Sequence, residues 1–404
     1  MESGDITWIL VSTALVLFMI PGLALFYGGM VRSRNVLNML NMNTYCLGIV
    51  PILWVLFTYS LANSQNGEFD SVWSLGAWIG NLDAVGLKGL SGDAESLVFV
   101  AFWATFAAIT PALISGAVAD RMKFSAWVVF VPVWAILVYS PVIYWIYTGW
   151  HTLLSPHAID FAGGTGIHIN AGAAALALVL VLGKRAGWPE TAMPPHNLTF
   201  VMLGAGILWF GWFGFNAGSA GAANGQAVQA LLNTMLAACA GMIAWMIVER
   251  LRDGHATTLG AATGVVAGLV AITPAAGYVG GLSSIVFGIA ASVCCYYAIQ
   301  LKLRFDYDDS LDVVGVHMVG GIVGGVLLGF FADAEIGGTD GLFFGDPGLV
   351  VSQVIAIVSV MVYSFVVTYL IAKAIQKVMG LRVDQESEWT GLDLSEHSET
   401  AYVD

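Results

Sequence analysis

Two histidines stand deep inside apolar stretches of this chain, in nearly the same setting. The first reads Gly166-Ile167-His168-Ile169-Asn170-Ala171-Gly172 and the second Gly315-Val316-His317-Met318-Val319-Gly320-Gly321. Each follows an aspartate, Asp160 or Asp309, at the same distance of eight residues. A neutral imidazole donates a hydrogen bond from one ring nitrogen and accepts one at the other. Titratable groups inside a bilayer by default mark a substrate or proton path. A hydrogen bond that merely fixes helix packing is the preferred reading for a lone buried histidine; the matched pair reverses that preference. The four cysteines lie in other apolar runs without metal-ligand spacing, so no metal site is expected. HExxH, GxSxG and phosphate-loop motifs are also absent, so neither catalysis nor a cofactor is expected.

Aromatic residues supply a second constellation. Phe102, Trp103 and Phe106 stand together at helical spacing in the third apolar run, and Tyr147 and Trp150 sit in the outer loop after the fourth. Trp209, Trp212, Phe213 and Phe215 precede Asn216-Ala217-Gly218-Ser219. Taken singly, interfacial Trp and Tyr read as a membrane belt. Phe102 and Phe106 share one helix face, however, and phenylalanine is not a typical belt residue. Aromatic faces with one hydroxyl would bind a small cation by cation–π attraction without trapping it as a carboxylate would. Asp160, beside Phe161-Ala162-Gly163-Gly164, reads as a structural cap of backbone N–H groups in preference to a cation ligand, and Asp309 in a similar way.

The elements that must hold these groups are membrane helices. The chain of 404 residues is 58% hydrophobic and 10% charged, against about 25% charged for a soluble domain. Eleven apolar runs are long enough to be spans: about 6–28, 42–63, 96–118, 124–146, 162–183, 198–218, 227–249, 257–274, 279–301, 313–332 and 347–378. The eighth, glycine-rich and ending on Pro274, is the weakest. With the N-terminus outside, 13 of the 14 Lys and Arg fall on the inner side and only Lys88 lies outside, as the positive-inside rule requires. The net charge of −13 reflects outer loops and an acidic tail, and no basic stripe suggests nucleic acid. Cys46, Cys239, Cys294 and Cys295 form no disulfide framework, and residues 1–20 lack the basic start of a cleaved signal, so the first span reads as a retained anchor.

A duplication is visible. Ala108-Ile109-Thr110-Pro111-Ala112 in the third span returns as Ala271-Ile272-Thr273-Pro274-Ala275 at the end of the eighth, and the histidines lie in the fifth and tenth. Both echoes are displaced by five spans. An odd displacement inverts the second copy, so the fold expected is all-α: a 5+5 inverted repeat with an eleventh bracing helix, N-out and C-in. Small residues around both histidines would let the two helices cross closely.

Phe161 to Asn170, Gly211-Trp212-Phe213-Gly214-Phe215-Asn216-Ala217-Gly218-Ser219, Gly315-Val316-His317, Pro21-Gly22 through Phe26-Tyr27-Gly28-Gly29, and the tail Gly391-Leu392-Asp393-Leu394-Ser395-Glu396-His397 closely resemble the ammonium transporter (Amt/Mep/Rh) family, bacterial and archaeal members most of all. The resemblance covers essentially the whole chain. It implies a homotrimer in the plasma or inner membrane, with a transmembrane unit over about 1–380, repeat halves about 1–185 and 196–332, an eleventh helix about 347–378, and a cytoplasmic tail over 381–404. It implies that His168 and His317 are paired pore histidines, that Phe106 and Phe215 form a stacked gate, and that Phe102, Phe106, Tyr147 or Trp150, and Ser219 form an outer ammonium site. It also implies that Asp160 is structural and that a PII-type signal protein or a signalling domain can act at the cytoplasmic face. Three positions depart from the family pattern: Tyr147 stands where a tryptophan is usual, Met318 where glycine is usual, and Pro111 follows the third-span threonine. The function implied is recruitment of ammonium, its deprotonation and passage of ammonia. An ammonium receptor of the same fold, with little or no transport, is the alternative.

Overall fold

The computed structural model describes residues 1–65 and 67–402. Among them it is helical throughout, with no strand beyond a single bridge between Met122 and Arg382. Ten helices are long and apolar enough to cross a membrane: α1 Ser3–Met30, α2 Ser33–Asn63, α3 Ala94–Val118, α4 Phe124–Leu153, α5 Gly164–Leu182, α6 Leu198–Gly218, α7 Gly225–Arg252, α9 Gly281–Phe305, α10 Val314–Phe331 and α11 Gly348–Met379. Between α7 and α9 lies a shorter apolar helix, α8, Thr258–Ile272. It ends at Ile272; Thr273 keeps helical dihedrals (φ −51°, ψ −47°), and Pro274, which has no N–H, cannot carry the hydrogen-bond ladder further. The helix expected over 42–63 begins earlier, because Ser33–Asn35 already turns and continues into it. Two short helices, α12 Gln385–Thr390 and α13 Leu392–His397, make up the tail.

Glycine decides which helices meet. A Cβ on Gly22 of α1 would lie 2.6 Å from Ile207 Cγ2 of α6, and one on Gly29 would lie 2.6 Å from the Asn197 carbonyl. Without hydrophobic attraction between helices in lipid, such close backbone packing and buried hydrogen bonds are what hold a bundle together. α5 and α10 cross in the same way around the histidines. Both begin with a wide, π-helical turn, Gly164–Ile169 and Val314–Met318, and each turn carries its histidine. Turns of this kind recur at functional sites.

The tail face is tied by charge and hydrogen bonds. Asp120 meets Arg32 at 3.1 Å and Arg185 at 3.4 Å, and Arg185 makes a second pair with Asp308 at 2.8 Å. Burial would raise the Asp308 carboxyl, but Arg185 and Arg121 outweigh it and hold it below the usual range. α13 docks on the start of α2: the Asn38 amide donates to Asp393 at 2.8 Å and the Leu392 amide to Asn35 Oδ1 at 2.8 Å. Glu388 pairs with Arg382 and also accepts from the Ala186 amide at 2.9 Å.

Candidate functional site

The two histidines meet at the centre of the bundle. Their Nδ1 atoms are 3.3 Å apart, and the rings lie nearly parallel, at 17° with centroids 5.3 Å apart. One Nδ1 must carry the hydrogen and the other accept it. The helices can come this close because glycine stands at the crossing. Gly172 lies against the Met318 backbone, where an added Cβ would be 2.6 Å from the amide nitrogen. Gly321 repeats the arrangement from the other helix, against Ile169 and the Gly164 carbonyl. Trp212 stacks on His168 at 5.4 Å and 20°, and its Nε1 donates to Thr273 Oγ1 at 2.9 Å. His168 Nε2 is buried with no hydrogen-bond partner among the described residues. A buried polar atom left in that state is costly unless something passes to satisfy it.

Three small spaces adjoin one another along this line. The central one, about 10 Å³, is bounded by Ile167, His168, Trp212, Phe215, His317 and aliphatic neighbours, and has room for about one water-sized molecule. On the tail side a cavity of about 90 Å³ shares Phe26, Val266 and His317 with it and reaches Glu249 and Asp312. On the N-terminal side a cavity of about 140 Å³ is bounded by Trp103, Phe106, Tyr147 and Ile167, among others. Phe106 and Phe215 stack between the outermost and central spaces, with centroids 4.1 Å apart and planes at 23°. Met318 borders none of these three spaces; it packs against Gly172 instead.

On the N-terminal side the structure brings four aromatic residues together and leaves a fifth, Trp150, apart. Phe102 and Phe106 lie 4.8 Å apart, Trp103 and Phe106 4.9 Å, and Trp103 and Tyr147 6.0 Å. Phe102 is buried against Gly218, next to Ser219, whose hydroxyl donates to the Phe215 carbonyl at 2.8 Å. Trp150 stands apart, packed on Trp78, Trp145 and His151 at 5.6, 6.0 and 4.3 Å. The turn after Tyr147 carries it away from the other rings.

The two aspartates differ. Asp160 accepts four backbone hydrogen bonds, from Gly163 at 2.9 Å, Gly164 at 2.7 Å, Thr165 at 2.9 Å and Gly166 at 3.0 Å. Gly163, at φ 100°, makes the left-handed turn that brings those amides together. Burial raises the Asp160 pKa while the four donors pull it back. Asp309 accepts from the Val314 amide at 2.7 Å, and its other oxygen has no hydrogen-bond partner among the described residues. Burial and the nearby Asp312 raise its pKa. Asp312 itself meets Lys302 at 2.5 Å. Both aspartates thus cap the turn before a histidine, the first far more fully.

Sequence reasoning left Thr273 and Glu249 outside the site. Thr273 sits in the repeated Ala-Ile-Thr-Pro-Ala segment, which was the available signal; Glu249, at the end of α7, gave none.

The profile described as Ammonium Transporter Family matches residues 7–402. An ammonium transporter of Mycobacterium tuberculosis is 49% identical over 99% of this chain and 90% of its own length. Among solved structures, Mep2 of Saccharomyces cerevisiae superposes with a TM-score of 0.88 at 32% identity, covering 96% of this chain and 88% of that one. A protein described as a sensor Amt protein has a TM-score of 0.90 at 24% identity over 98% of both chains, a likeness of fold.

Proposed function

This chain belongs to the ammonium transporter family, a family of transporters and not of enzymes, and is a multi-pass protein of the cell membrane; from that premise we propose that it conducts ammonia after binding and deprotonating ammonium. The single observation that carries the mechanism is the 3.3 Å contact between His168 and His317 beside a space for one small molecule.

A bare cation cannot cross this route cheaply. Removing an isolated ion from water into an apolar interior costs tens of kcal/mol by Born solvation. Among the described residues no carboxylate borders the central space to offset that cost. Ammonium instead rests among Phe102, Phe106, Tyr147 and the Ser219 hydroxyl, where ring faces attract it without binding it irreversibly. Its proton is released there to water and crosses separately along the His168–His317 contact to rejoin ammonia on the tail side, so that transport carries charge. Ammonia passes Phe106 and Phe215, exchanges hydrogen bonds with the two imidazoles, and enters the tail-side cavity. Potassium has no proton to lose, so the same route excludes it.

We take α8 as a true span, which makes eleven, placed N-out and C-in by the distribution of Lys and Arg. The inverted 5+5 repeat is supported by the matched wide turns in α5 and α10 and by the close α1–α6 and α5–α10 crossings, each pair five spans apart. Residues 1–380 form the transport unit, halved at about 1–185 and 196–332 with α11 as brace, and 381–404 the cytoplasmic tail. Assembly is a homotrimer, and the tail face is where a PII-type partner would dock.

Solid-supported-membrane recordings on proteoliposomes test the reading. Transient currents driven by ammonium but not by potassium are expected. Saturable ammonium binding with no current would replace conduction with a receptor role.

A further inference from the structure

We propose that Trp103 is the principal cation-binding face of the outer aromatic site and sets how tightly ammonium is held there, an assignment that rests on the transport reading above. Trp103 is the ring that touches the others: Phe102 at 5.0 Å, Phe106 at 4.9 Å and Tyr147 at 6.0 Å. It also borders the 140 Å³ cavity that ends at Phe106. A belt tryptophan would lie at the membrane interface facing lipid headgroups, whereas this one is half-buried beside an internal cavity.

The neighbouring rings are less available. Phe106 has one face covered by Phe215 at 4.1 Å. Phe102 is fully buried, with Gly218 against its edge. Tyr147 is 39% exposed, so a cation held against it stays in contact with water. Indole is the strongest of the natural cation–π surfaces, and the attraction grows as the cation is desolvated. Trp103 therefore combines the better ring with the drier position. It also stands one helical turn from the gate residue Phe106, so a cation on the indole is already at the entrance to the stacked pair.

The test compares wild type with Trp103→Leu, Trp103→Phe and Tyr147→Leu in proteoliposomes, reading half-saturating ammonium concentration and maximal current. Trp103→Leu is expected to raise the half-saturating concentration about ten-fold with maximal current within about two-fold of wild type. Trp103→Phe should recover part of that loss, and Tyr147→Leu should move it by less than about three-fold. A Trp103→Leu value within about two-fold of wild type, or a larger effect from Tyr147→Leu, overturns the assignment. The same variants are read for binding through the ammonium-induced rise in thermal midpoint. A wild type that binds without current ends the transport reading while still testing Trp103; a Trp103→Leu protein that binds as wild type does ends the assignment alone.

Discussion

Gly172 of α5 lies against the backbone of Met318 in α10, so close that a single methyl on the glycine would stand 2.6 Å from the Met318 amide nitrogen. The neighbour is backbone and cannot swing aside. Gly172→Ala must therefore push apart the two helices that carry the histidines. Overpacking of this kind costs about 1–3 kcal/mol. The expected result is a lower thermal midpoint in detergent together with a reduced ammonium current. An alanine variant equal to wild type in both would show that the crossing is looser than it looks.

Asp160 holds the turn before His168 through four amide hydrogen bonds. Asp160→Ala leaves those buried donors without an acceptor and should cost at least about 3 kcal/mol, seen as a large fall in midpoint. Asp160→Asn keeps one acceptor oxygen and should fall between alanine and wild type. Equal midpoints for all three proteins would remove its capping role.

The tail gives a pH-dependent expectation. Burial raises the Asp393 pKa, against amide bonds from Asn38, Leu37 and Val36 that lower it. A carboxyl whose docked pKa lies above its free value favours docking when protonated. Docking should tighten as pH falls through the raised docked value toward the free value of about 3.9. Limited proteolysis of residues 381–404 at two pH values measures this. Asp393→Asn should abolish that component, which separates it from His397 and Glu396. Protection that weakens on acidification by the same amount in both proteins would contradict the sign.

Much of this was legible in the chain. The ten long helices follow from apolar runs, and the histidine contact from two similar segments, in α5 and α10, with glycine around them. Asp160 was readable as a cap because a glycine run follows it. The fate of Trp150 was not readable: whether a ring beyond Tyr147 turns toward the site depends on the loop it enters, and Trp78 and Trp145 capture it. Met318 stands where glycine is usual, and that it packs against Gly172 of the facing helix and away from the three spaces was not readable from its size. Trp212 was visible as an aromatic residue, whereas its stacking on His168 depends on the Thr273 hydrogen bond from a different helix.

Phe215 tests the gate. Its ring covers Phe106 at 4.1 Å, so Phe215→Ala should open the path between the outermost and central spaces. Truncating a buried Phe typically costs about 3–5 kcal/mol in stability, so the midpoint must be followed alongside. A folded variant that admits potassium current is expected; a folded variant with wild-type discrimination would show that the stacked pair does not separate the two spaces.

The most direct measurement is the ammonium-to-potassium current ratio in proteoliposomes of wild type, His168→Ala and His317→Ala. Each variant is expected to lose either the ammonium current or its discrimination against potassium. Currents and ratios unchanged in both, from protein of normal thermal midpoint, would contradict a conduction path along the paired imidazoles.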